Sequence, residues 1–214
     1  MEDFSDQIRN DHHQFDKGKL EEHVGSEPFT LATAWLKEAK EFPVNEPNAM
    51  SISTVNTEMQ PSSRIVYLRE LKEETFIFYT NYSSEKGKNI AANPNVHLLF
   101  FWPELERQIS ISGKAEKVPA EVSDAYFQSR PRGSKLGAWA SHQSARLTDR
   151  SELEARVNAL SEKFPEEVPR PEHWGGYKVV PQKIEFWQGR PSRLHDRIVF
   201  EKIQGNWEIY RKNP

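Results

Sequence analysis

The sequence predicts a mainly β protein with accessory α-helices, arranged as an antiparallel barrel or sandwich. Segments rich in β-branched and aromatic residues, bounded by turn-forming residues, outnumber the helical segments. They follow one another at close spacing, without the strict alternation of strand and helix that a doubly wound parallel sheet requires. The chain shows no internal repeat, low-complexity tract or linker, so we expect one domain over residues 29–214.

The opening segment and the first helix differ in their hydrophobic periodicity. Residues 1–28 lack a sustained period, so we expect an N-terminal arm that is ordered only where other parts of the protein hold it. Over residues 29–42, apolar side chains recur at steps of three and four, which places them on one helical face. They are Leu31, Ala32, Trp35, Leu36, Ala39 and Phe42. Pro43 is expected to end this helix.

The remaining elements are predicted from residue patterns and turn signals. Strands are expected over residues 49–55, 64–71, 75–79, 96–102, 108–117, 177–180, 183–188, 197–203 and 207–211, the last two joined as a hairpin. A short helix capped by Ser83 or Ser84 is expected to run through Ala92, and further helices over residues 120–128 and 149–164. Asp149 and Glu152 form a capping-box variant that favours the last helix.

Composition and charge exclude several classes of protein. The 214 residues include no cysteine, which excludes disulfides, thiolate metal sites and a cysteine nucleophile. A net charge of -3, with both signs mixed along the chain, argues against general nucleic-acid or membrane-surface binding. The seven histidines lack metal-ligand spacing, and no P-loop or Gly-rich dinucleotide loop is present. With no secretory signal and no membrane-length apolar run, we expect a cytoplasmic protein.

One segment near the C-terminus concentrates positive charge. If residues 193–197 are extended, Arg193, His195 and Arg197 share one strand face, while Leu194 and Asp196 take the other. Like charges on one face repel each other, so an anionic partner would rationalise the cluster. The alternative interpretation is a solvated edge strand whose arginines pair with neighbouring carboxylates.

Two further segments suit phosphate groups. Residues 129–135 place Arg130, Arg132 and Ser134 on a loop that contains proline and glycine, where guanidinium forks and a hydroxyl can bind phosphate oxygens. Residues 79–88 run from a strand through hydroxyl and amide side chains into a helix N-terminus, whose free N–H groups and dipole favour an anion. A basic surface turn and ordinary serine capping are the respective alternatives.

Other residues suit a flat ring. Amide and hydroxyl side chains can pair with a ring edge and a tryptophan can cover a ring face; the candidates are Gln108, Gln143, Ser144 and Trp187, with polar surface and core packing as the alternatives. Arg64 and Arg69 lie on opposite faces of a regular strand, so we expect them to serve different partners. With 6 Trp, 6 Tyr and 12 Phe, these features favour one or two flat phosphorylated ligands.

In chain order, these segments resemble the pyridoxine (pyridoxamine) 5′-phosphate oxidase family of flavoproteins. The matching runs are Arg64-Ile65-Val66-Tyr67-Leu68-Arg69, Phe78-Tyr79-Thr80-Asn81, Leu105-Glu106-Arg107-Gln108, residues 126–134, Gly137-Ala138-Trp139, Trp174-Gly175-Gly176 and residues 184–197. They extend from about Lys17 to the C-terminus. The resemblance implies a split β-barrel homodimer that binds FMN at the subunit interface.

The resemblance also implies the ligand contacts. FMN would be bound by Arg64, Ile65, Val66, Tyr67, Leu68, Arg69, Tyr79, Thr80, Lys86, Gln108, Gln143, Ser144, Trp187 and Arg197. The substrate would be bound by Arg69, Tyr126, Arg130 and Ser134 at its phosphate and by Arg193, Leu194 and His195 at its ring, with Arg193 and His195 as catalytic candidates.

The implied reaction is the oxidation of pyridoxamine or pyridoxine 5′-phosphate to pyridoxal 5′-phosphate. Dioxygen would accept the electrons through FMN and yield hydrogen peroxide. We expect no metal, nucleic-acid or membrane partner.

This chain departs from the family pattern at three places. Arg69 stands where many relatives carry lysine, so a planar guanidinium with a fork of N–H donors replaces the point charge of an ammonium group. Glu85 stands where relatives often carry arginine beside the flavin phosphate, so it is expected to weaken FMN binding unless its carboxylate points away. In the arm, His12-His13-Gln14-Phe15 replaces an Arg-Arg-Glu-Tyr run that closes over the substrate.

Two other functions fit the sequence. One is another split-barrel flavoprotein, such as a flavin reductase-like protein or an oxidase of unphosphorylated pyridoxamine, which the residues for a substrate phosphate disfavour. The other is a binding module that holds FMN or pyridoxal 5′-phosphate without turnover, an interpretation motivated by Glu85 and by the altered arm.

Overall fold

A computed structural model of the chain describes residues 14–21 and 24–214. Five α-helices lie within these residues: α1 (Pro28–Glu41), α2 (Glu85–Ala92), α3 (Ala120–Ser129), α4 (Arg132–Ala140) and α5 (Arg150–Lys163). The strands are β1 (Ala49–Val55), β2 (Pro61–Tyr67), β3 (Glu70–Lys72), β4 (Thr75–Asn81), β5 (Asn95–Trp102), β6 (Arg107–Lys117), β7 (Trp174–Gln188), β8 (Asp196–Ile203) and β9 (Asn206–Arg211). In this described part of the chain, no helix is both long and apolar enough to cross a membrane.

The chain divides into two compact units. The first unit comprises the described residues up to Pro47, Leu99–Ile111 and Lys183–Pro214, and the second comprises Asn48–Leu98 and Ser112–Gln182. Strands β5, β6 and β7 each contribute residues to both units.

Along the sheet the strands follow the order β2-β1-β5-β6-β7-β4-β3. Strand β1 alternates buried and half-buried residues, with Met50, Ile52 and Thr54 pointing inward, as expected for a strand with one face on a core. Strand β4 pairs antiparallel with β7, so that Tyr79 lies opposite Gly176. A Cβ atom on Gly176 would lie 2.8 Å from the Tyr79 ring, so this close approach requires glycine.

The first unit packs α1 against the C-terminal strands. Trp35 of α1 meets Phe186 of β7 edge to face, with 5.3 Å between ring centroids. Strand β8 pairs antiparallel with β7 on one side and with β9 on the other. The described part of the N-terminal arm is held by carboxylates, because Lys17 N donates to Glu106 Oε2 at 3.0 Å and Leu20 N to Asp196 Oδ2 at 3.1 Å.

Most predicted elements are confirmed, and so is the mainly antiparallel fold class. The strand over residues 49–55 has the predicted bounds, and the helix capped by Ser84 ends at Ala92 as expected. Asp149 caps α5, where its side chain accepts a hydrogen bond from Ser151 N. Of the arm residues singled out in the sequence, His12 and His13 lie outside the described residues.

Two strand predictions are wrong in detail. The strand expected over residues 64–71 is split between β2 and β3, because the backbone changes partner: Leu68 N donates to Asn48 O, whereas Arg69 N donates to Ile77 O. The strands expected over residues 177–180 and 183–188 form the single strand β7. Pro181 is tolerated there because it lies between the stretch of β7 that pairs with β4 and the stretch that pairs with β8.

The basic loop expected over residues 129–135 is also wrong in part. Residues from Arg132 onward form helix α4, with Pro131 as its N-cap residue. Gly133 and Gly137 lower the intrinsic helix propensity of this segment, so the local sequence pattern does not predict a helix here. Burial of Leu136 and Ala140 outweighs that cost.

Candidate functional site

The second unit contains a cavity of about 440 Å³ lined by side chains from several elements. The lining residues are Ile65, Val66, Tyr67, Arg69, Tyr79, Thr80, Asn81, Lys86, Tyr126, Arg130, Ser134, Gly137, Ala138, Ser141, Gln143 and Trp174. Its charged members are Arg69, Lys86 and Arg130, and none of these lining residues carries a carboxylate. A polar cavity with this excess of positive charge suits an anionic ligand.

Arg130 is the most informative residue of this cavity. It follows α3 as the C-cap residue, and its guanidinium lies over the Trp174 ring at 4.6 Å from the centroid. Its Nη1 atom is buried and has no hydrogen-bond partner among the described residues. Burial, with the positive charge of Arg69, lowers the pKa of Arg130, while Tyr126 acts in the opposite direction. A buried cationic donor in this state is a ready site for a phosphate oxygen.

Three parallel rings form one wall of the cavity. The centroids of Tyr79 and Tyr126 lie 3.8 Å apart with 10° between the ring planes, and Trp174 lies 5.6 Å from Tyr79. The Tyr79 hydroxyl donates to Glu70 Oε1 at 3.0 Å. Burial raises the pKa of Tyr79, and the hydrogen bond to Glu70 raises it further, so this phenol stays protonated.

Lys86 lies in the first turn of α2 and is buried in the same cavity. Its Nζ donates to Thr80 Oγ1 at 3.2 Å and to Gln143 Oε1 at 3.1 Å. Burial lowers its pKa, and the nearby charge of Arg64 lowers it further. Ser84 caps this helix by accepting a hydrogen bond from Gly87 N, which leaves a helix N-terminus beside the lysine.

Arg64 is absent from the residues lining this cavity, although Ile65, Val66 and Tyr67 line it. Its Nη1 donates to Thr54 Oγ1 at 2.8 Å, and its Nη2 forms an ion pair with Glu85 Oε1 at 3.1 Å. The Glu85 carboxylate is therefore paired with the Arg64 guanidinium. Leu68 is buried in the second unit and lies outside the lining.

A second cavity in this unit, of about 490 Å³, is lined by Glu85 and by the predicted flavin residue Ser144. Gln143 lines both cavities. The backbone of Ser144 has a φ of 70°, which is the left-handed region.

The first unit holds the remaining predicted residues and a cluster of rings. Phe15, Trp187 and His195 contact one another with centroid separations of 4.7 to 5.5 Å. His195 Nδ1 accepts a hydrogen bond from Arg190 N at 3.1 Å, so the neutral ring carries its proton on Nε2. Burial and the charges of Arg193 and Arg197 lower the pKa of His195, which favours this neutral form.

Arg193, His195 and Arg197 would share one strand face only if residues 193–197 were extended, and this condition is not met. Arg193 ends a short 3₁₀ turn, Pro191–Arg193, and strand β8 begins only at Asp196. Ser192 and Arg193 have φ angles of 58° and 61°, so this segment is not extended.

The predicted residues of this segment differ in exposure and partners. Arg193 and Leu194 are exposed. Arg197 lies opposite Trp187 in the β7–β8 ladder and donates through Nε to Glu185 Oε1 at 2.7 Å. Gln108 is half-buried in β6.

The structure thus collects the predicted substrate-phosphate residues in the second unit and the predicted ring-facing residues in the first. Glu70 and Trp174 were not predicted as site residues. The run Trp174-Gly175-Gly176 carried a signal, since glycines beside an aromatic residue indicate close approach of another group. Among the described residues, no three His, Asp or Glu side chains are grouped as a metal-ligand set.

Comparison with known proteins gives two family matches. The family model described as "Pyridoxamine 5′-phosphate oxidase" matches residues 36–164. A second model, described as "Pyridoxine 5′-phosphate oxidase C-terminal dimerisation region", matches residues 174–214.

Curated relatives match nearly the whole chain. A pyridoxine/pyridoxamine 5′-phosphate oxidase of Haemophilus influenzae is 50% identical over 209 residues, which is 97% of this chain and 100% of the relative. One from Leptospira biflexa is 54% identical over 195 residues, 91% of this chain and 92% of the relative.

Solved structures agree with the fold. PhzG from Burkholderia lata, solved in complex with tetrahydrophenazine-1-carboxylic acid, has a TM-score of 0.85 at 31% identity and covers 89% of this chain and 94% of its own. A pyridoxamine 5′-phosphate oxidase-related, FMN binding protein from Nostoc punctiforme has a TM-score of 0.71 at 16% identity, with 89% and 100% covered, and shows the fold alone. The predicted split β-barrel class is confirmed.

Proposed function

The chain belongs to the pyridoxamine 5′-phosphate oxidase family, and from this premise we propose that it oxidises pyridoxamine and pyridoxine 5′-phosphates to pyridoxal 5′-phosphate. FMN is the proposed cofactor and dioxygen the proposed electron acceptor, with hydrogen peroxide as the second product. The observation that carries the proposal is the cationic cavity in which Arg130 Nη1 lies buried without a partner among the described residues.

The proposed phosphate site consists of Arg130, Arg69, Tyr126 and Ser134, all of which line this cavity. Two guanidinium groups offer charge-assisted hydrogen bonds to a dianion, and the two hydroxyls add neutral donors. Ser134 lies in the first turn of α4, where the helix dipole also favours negative charge. Binding at the phosphate would fix the position of the distant pyridine ring, so that binding energy is used for orientation.

The residues present fit a flavin phosphate as well. Lys86 is a buried cation whose described hydrogen bonds go to the neutral oxygens of Thr80 and Gln143, so its charge is available to an anion. We propose that these three residues bind FMN together with Arg64, Ser144 and the run Ile65-Val66-Tyr67-Leu68. When bound, FMN would accept a hydride equivalent from C4′ of the substrate and pass the electrons to dioxygen.

The first unit supplies the proposed ring-facing groups. Neutral His195 can donate from Nε2, and Arg193 can cover the pyridine ring from its exposed turn. We propose that Arg197, Trp187 and Gln108 contact the flavin. These residues, apart from Gln108, lie within the match to the C-terminal dimerisation region, which supports a homodimer with FMN at the subunit interface.

The test uses the absorption spectrum of the full-length protein loaded with FMN. Under anaerobic conditions, pyridoxine 5′-phosphate should bleach the flavin absorption, and readmitted air should restore it with release of hydrogen peroxide. Unphosphorylated pyridoxine is the matched control, because it lacks only the group that the cationic cavity is proposed to bind. A protein that takes up no flavin, or whose flavin is bleached equally by both compounds, would contradict the proposal.

A further inference from the structure

Glu70 lies just behind the cavity wall and has no role in the site described so far. It is the first residue of β3, is half-buried, and is not among the residues that line the cavity. In the β3–β4 ladder it lies opposite Ile77, which makes Tyr79 its diagonal neighbour on the same face. This register explains how the Tyr79 hydroxyl reaches Glu70 Oε1 at 3.0 Å.

A chain of contacts leads from Glu70 to the proposed phosphate residues. Tyr79, whose hydroxyl is held by Glu70, stacks on Tyr126 at 3.8 Å and on Trp174 at 5.6 Å between centroids. The Arg130 guanidinium lies over Trp174 at 4.6 Å. Tyr126 and Arg130 both line the cavity, whereas Glu70, at the other end of this chain of contacts, does not.

We propose that Glu70 is a positioning residue for this site: by accepting the Tyr79 hydrogen bond it fixes the ring stack that holds Tyr126 and Arg130 for the substrate phosphate. The inference rests on the proposed function for the identity of that ligand. Glu70 itself does not line the cavity, so its effect passes through Tyr79, which does.

The hydrogen-bond acceptor, and not the negative charge, is the property that Glu70 contributes. A carboxylate near an anion site repels the ligand, so charge alone would make Glu70 unfavourable for phosphate binding. Because Tyr79 stays protonated, its hydroxyl requires a hydrogen-bond acceptor. A half-buried hydroxyl that has lost its acceptor costs free energy, so the Tyr79 side chain would no longer be held in this position. An amide oxygen can replace the carboxylate in this role, whereas an aliphatic side chain cannot.

The experiment compares Glu70→Leu, Glu70→Gln and a matched control in the FMN-loaded enzyme. Glu70→Leu should raise KM for pyridoxine 5′-phosphate about tenfold while kcat stays within about twofold. Glu70→Gln should restore KM to within about threefold of the wild type. The control is Glu116→Leu, which removes an exposed strand carboxylate paired with Lys178 at 3.4 Å in the same unit, and should leave KM unchanged.

A double-mutant cycle with Tyr79→Phe tests whether Glu70 acts through the hydroxyl. In the Tyr79→Phe background, Glu70→Leu should change KM by less than about twofold, because the interaction is already lost. An unchanged KM in Glu70→Leu alone, or an equal loss in both backgrounds, would overturn the proposal. If Glu70→Leu fails to fold, Tyr79→Phe replaces it, since this variant keeps the ring and loses only the donor; an unaltered KM there also overturns the proposal.

Binding of pyridoxal 5′-phosphate, followed by quenching of tryptophan fluorescence, separates this inference from the proposed function. If the wild type binds the compound but oxidises neither phosphorylated substrate, the proposed function fails and the Kd of each Glu70 variant still tests the positioning role. If the wild type turns over and Glu70→Leu binds equally well, the positioning role alone fails.

Discussion

The cation cluster of the second unit and that of the first differ in how their charges are compensated. In the cavity, Lys86 hydrogen-bonds to neutral oxygens and Arg130 keeps a buried donor without a partner among the described residues. In the first unit, Glu185 accepts from Arg197, and Asp196 pairs with Arg211. Uncompensated buried charge indicates a place for an anionic ligand, whereas compensated charge indicates side chains held in a fixed geometry.

The largest expected effect is that of Arg130→Met, which removes the uncompensated charge. KM for pyridoxine 5′-phosphate should rise about a hundredfold, because a partly buried, charge-assisted interaction with phosphate is lost. The free energy of unfolding should stay the same or increase, since a desolvated cation is replaced by an apolar side chain. Steady-state kinetics and urea unfolding measure the two effects. Destabilisation with unchanged KM would show that Arg130 is structural.

For Arg197→Met in the first unit, both stability and ligand affinity are expected to fall. This change leaves Glu185 with Lys212 as its remaining described cation, at 3.2 Å, so stability should fall by about 1 kcal/mol. The FMN Kd, measured by quenching of flavin fluorescence, should rise about tenfold if Arg197 also contacts the flavin. Lys212→Met is the matched control, because it removes the other partner of Glu185 and should leave FMN affinity unchanged. Full flavin retention by Arg197→Met would contradict the assigned contact.

A smaller effect is expected at the Arg64–Glu85 pair, where a carboxylate engages a proposed flavin-phosphate residue. Glu85→Gln should lower the FMN Kd about threefold, because it frees Arg64 and removes an exposed negative charge. The affinity for riboflavin, which lacks the phosphate, should not change. Equal gains for both flavins would show that the effect of Glu85 does not pass through the phosphate.

The smallest effect concerns the pH dependence of His195. Its pKa lies below the ordinary value of 6.5, so the unfolded chain binds the proton more readily than the folded chain. The resulting contribution to stability is therefore complete above pH 6.5 and is lost as pH falls through the folded-state pKa. Titration of the imidazole Cε1 proton signal by NMR should give a midpoint below 6.5, and Arg193→Gln should raise it. A midpoint above 6.5 would contradict the neutral state assigned here.

Residue patterns identified most of the phosphate-binding candidates but not their arrangement. Arg130 and Ser134 were found from a run of basic and hydroxyl residues, whereas Tyr126 was implied by the family resemblance; all three line one cavity. The helix that carries Ser134 was missed because its glycines suppress local propensity, and tertiary burial decides its conformation. The alternation considered for residues 193–197 is absent because consecutive positive φ angles at Ser192 and Arg193 keep the segment from being extended, which no period-2 pattern reveals.

The sequence by itself determined the antiparallel class, the order of elements and the residues able to bind phosphate, because periodicity, turn signals and side-chain chemistry are local properties. Tertiary structure alone decided that Glu70 reaches Tyr79, that Glu85 pairs with Arg64 and that Arg130 keeps a buried donor without a partner among the described residues. The physical reason is that hydrogen-bond partners and desolvation depend on strand register and on packing between distant segments. The sequence places Glu70 next to Arg69, but it does not indicate which hydroxyl will donate a hydrogen bond to the Glu70 carboxylate.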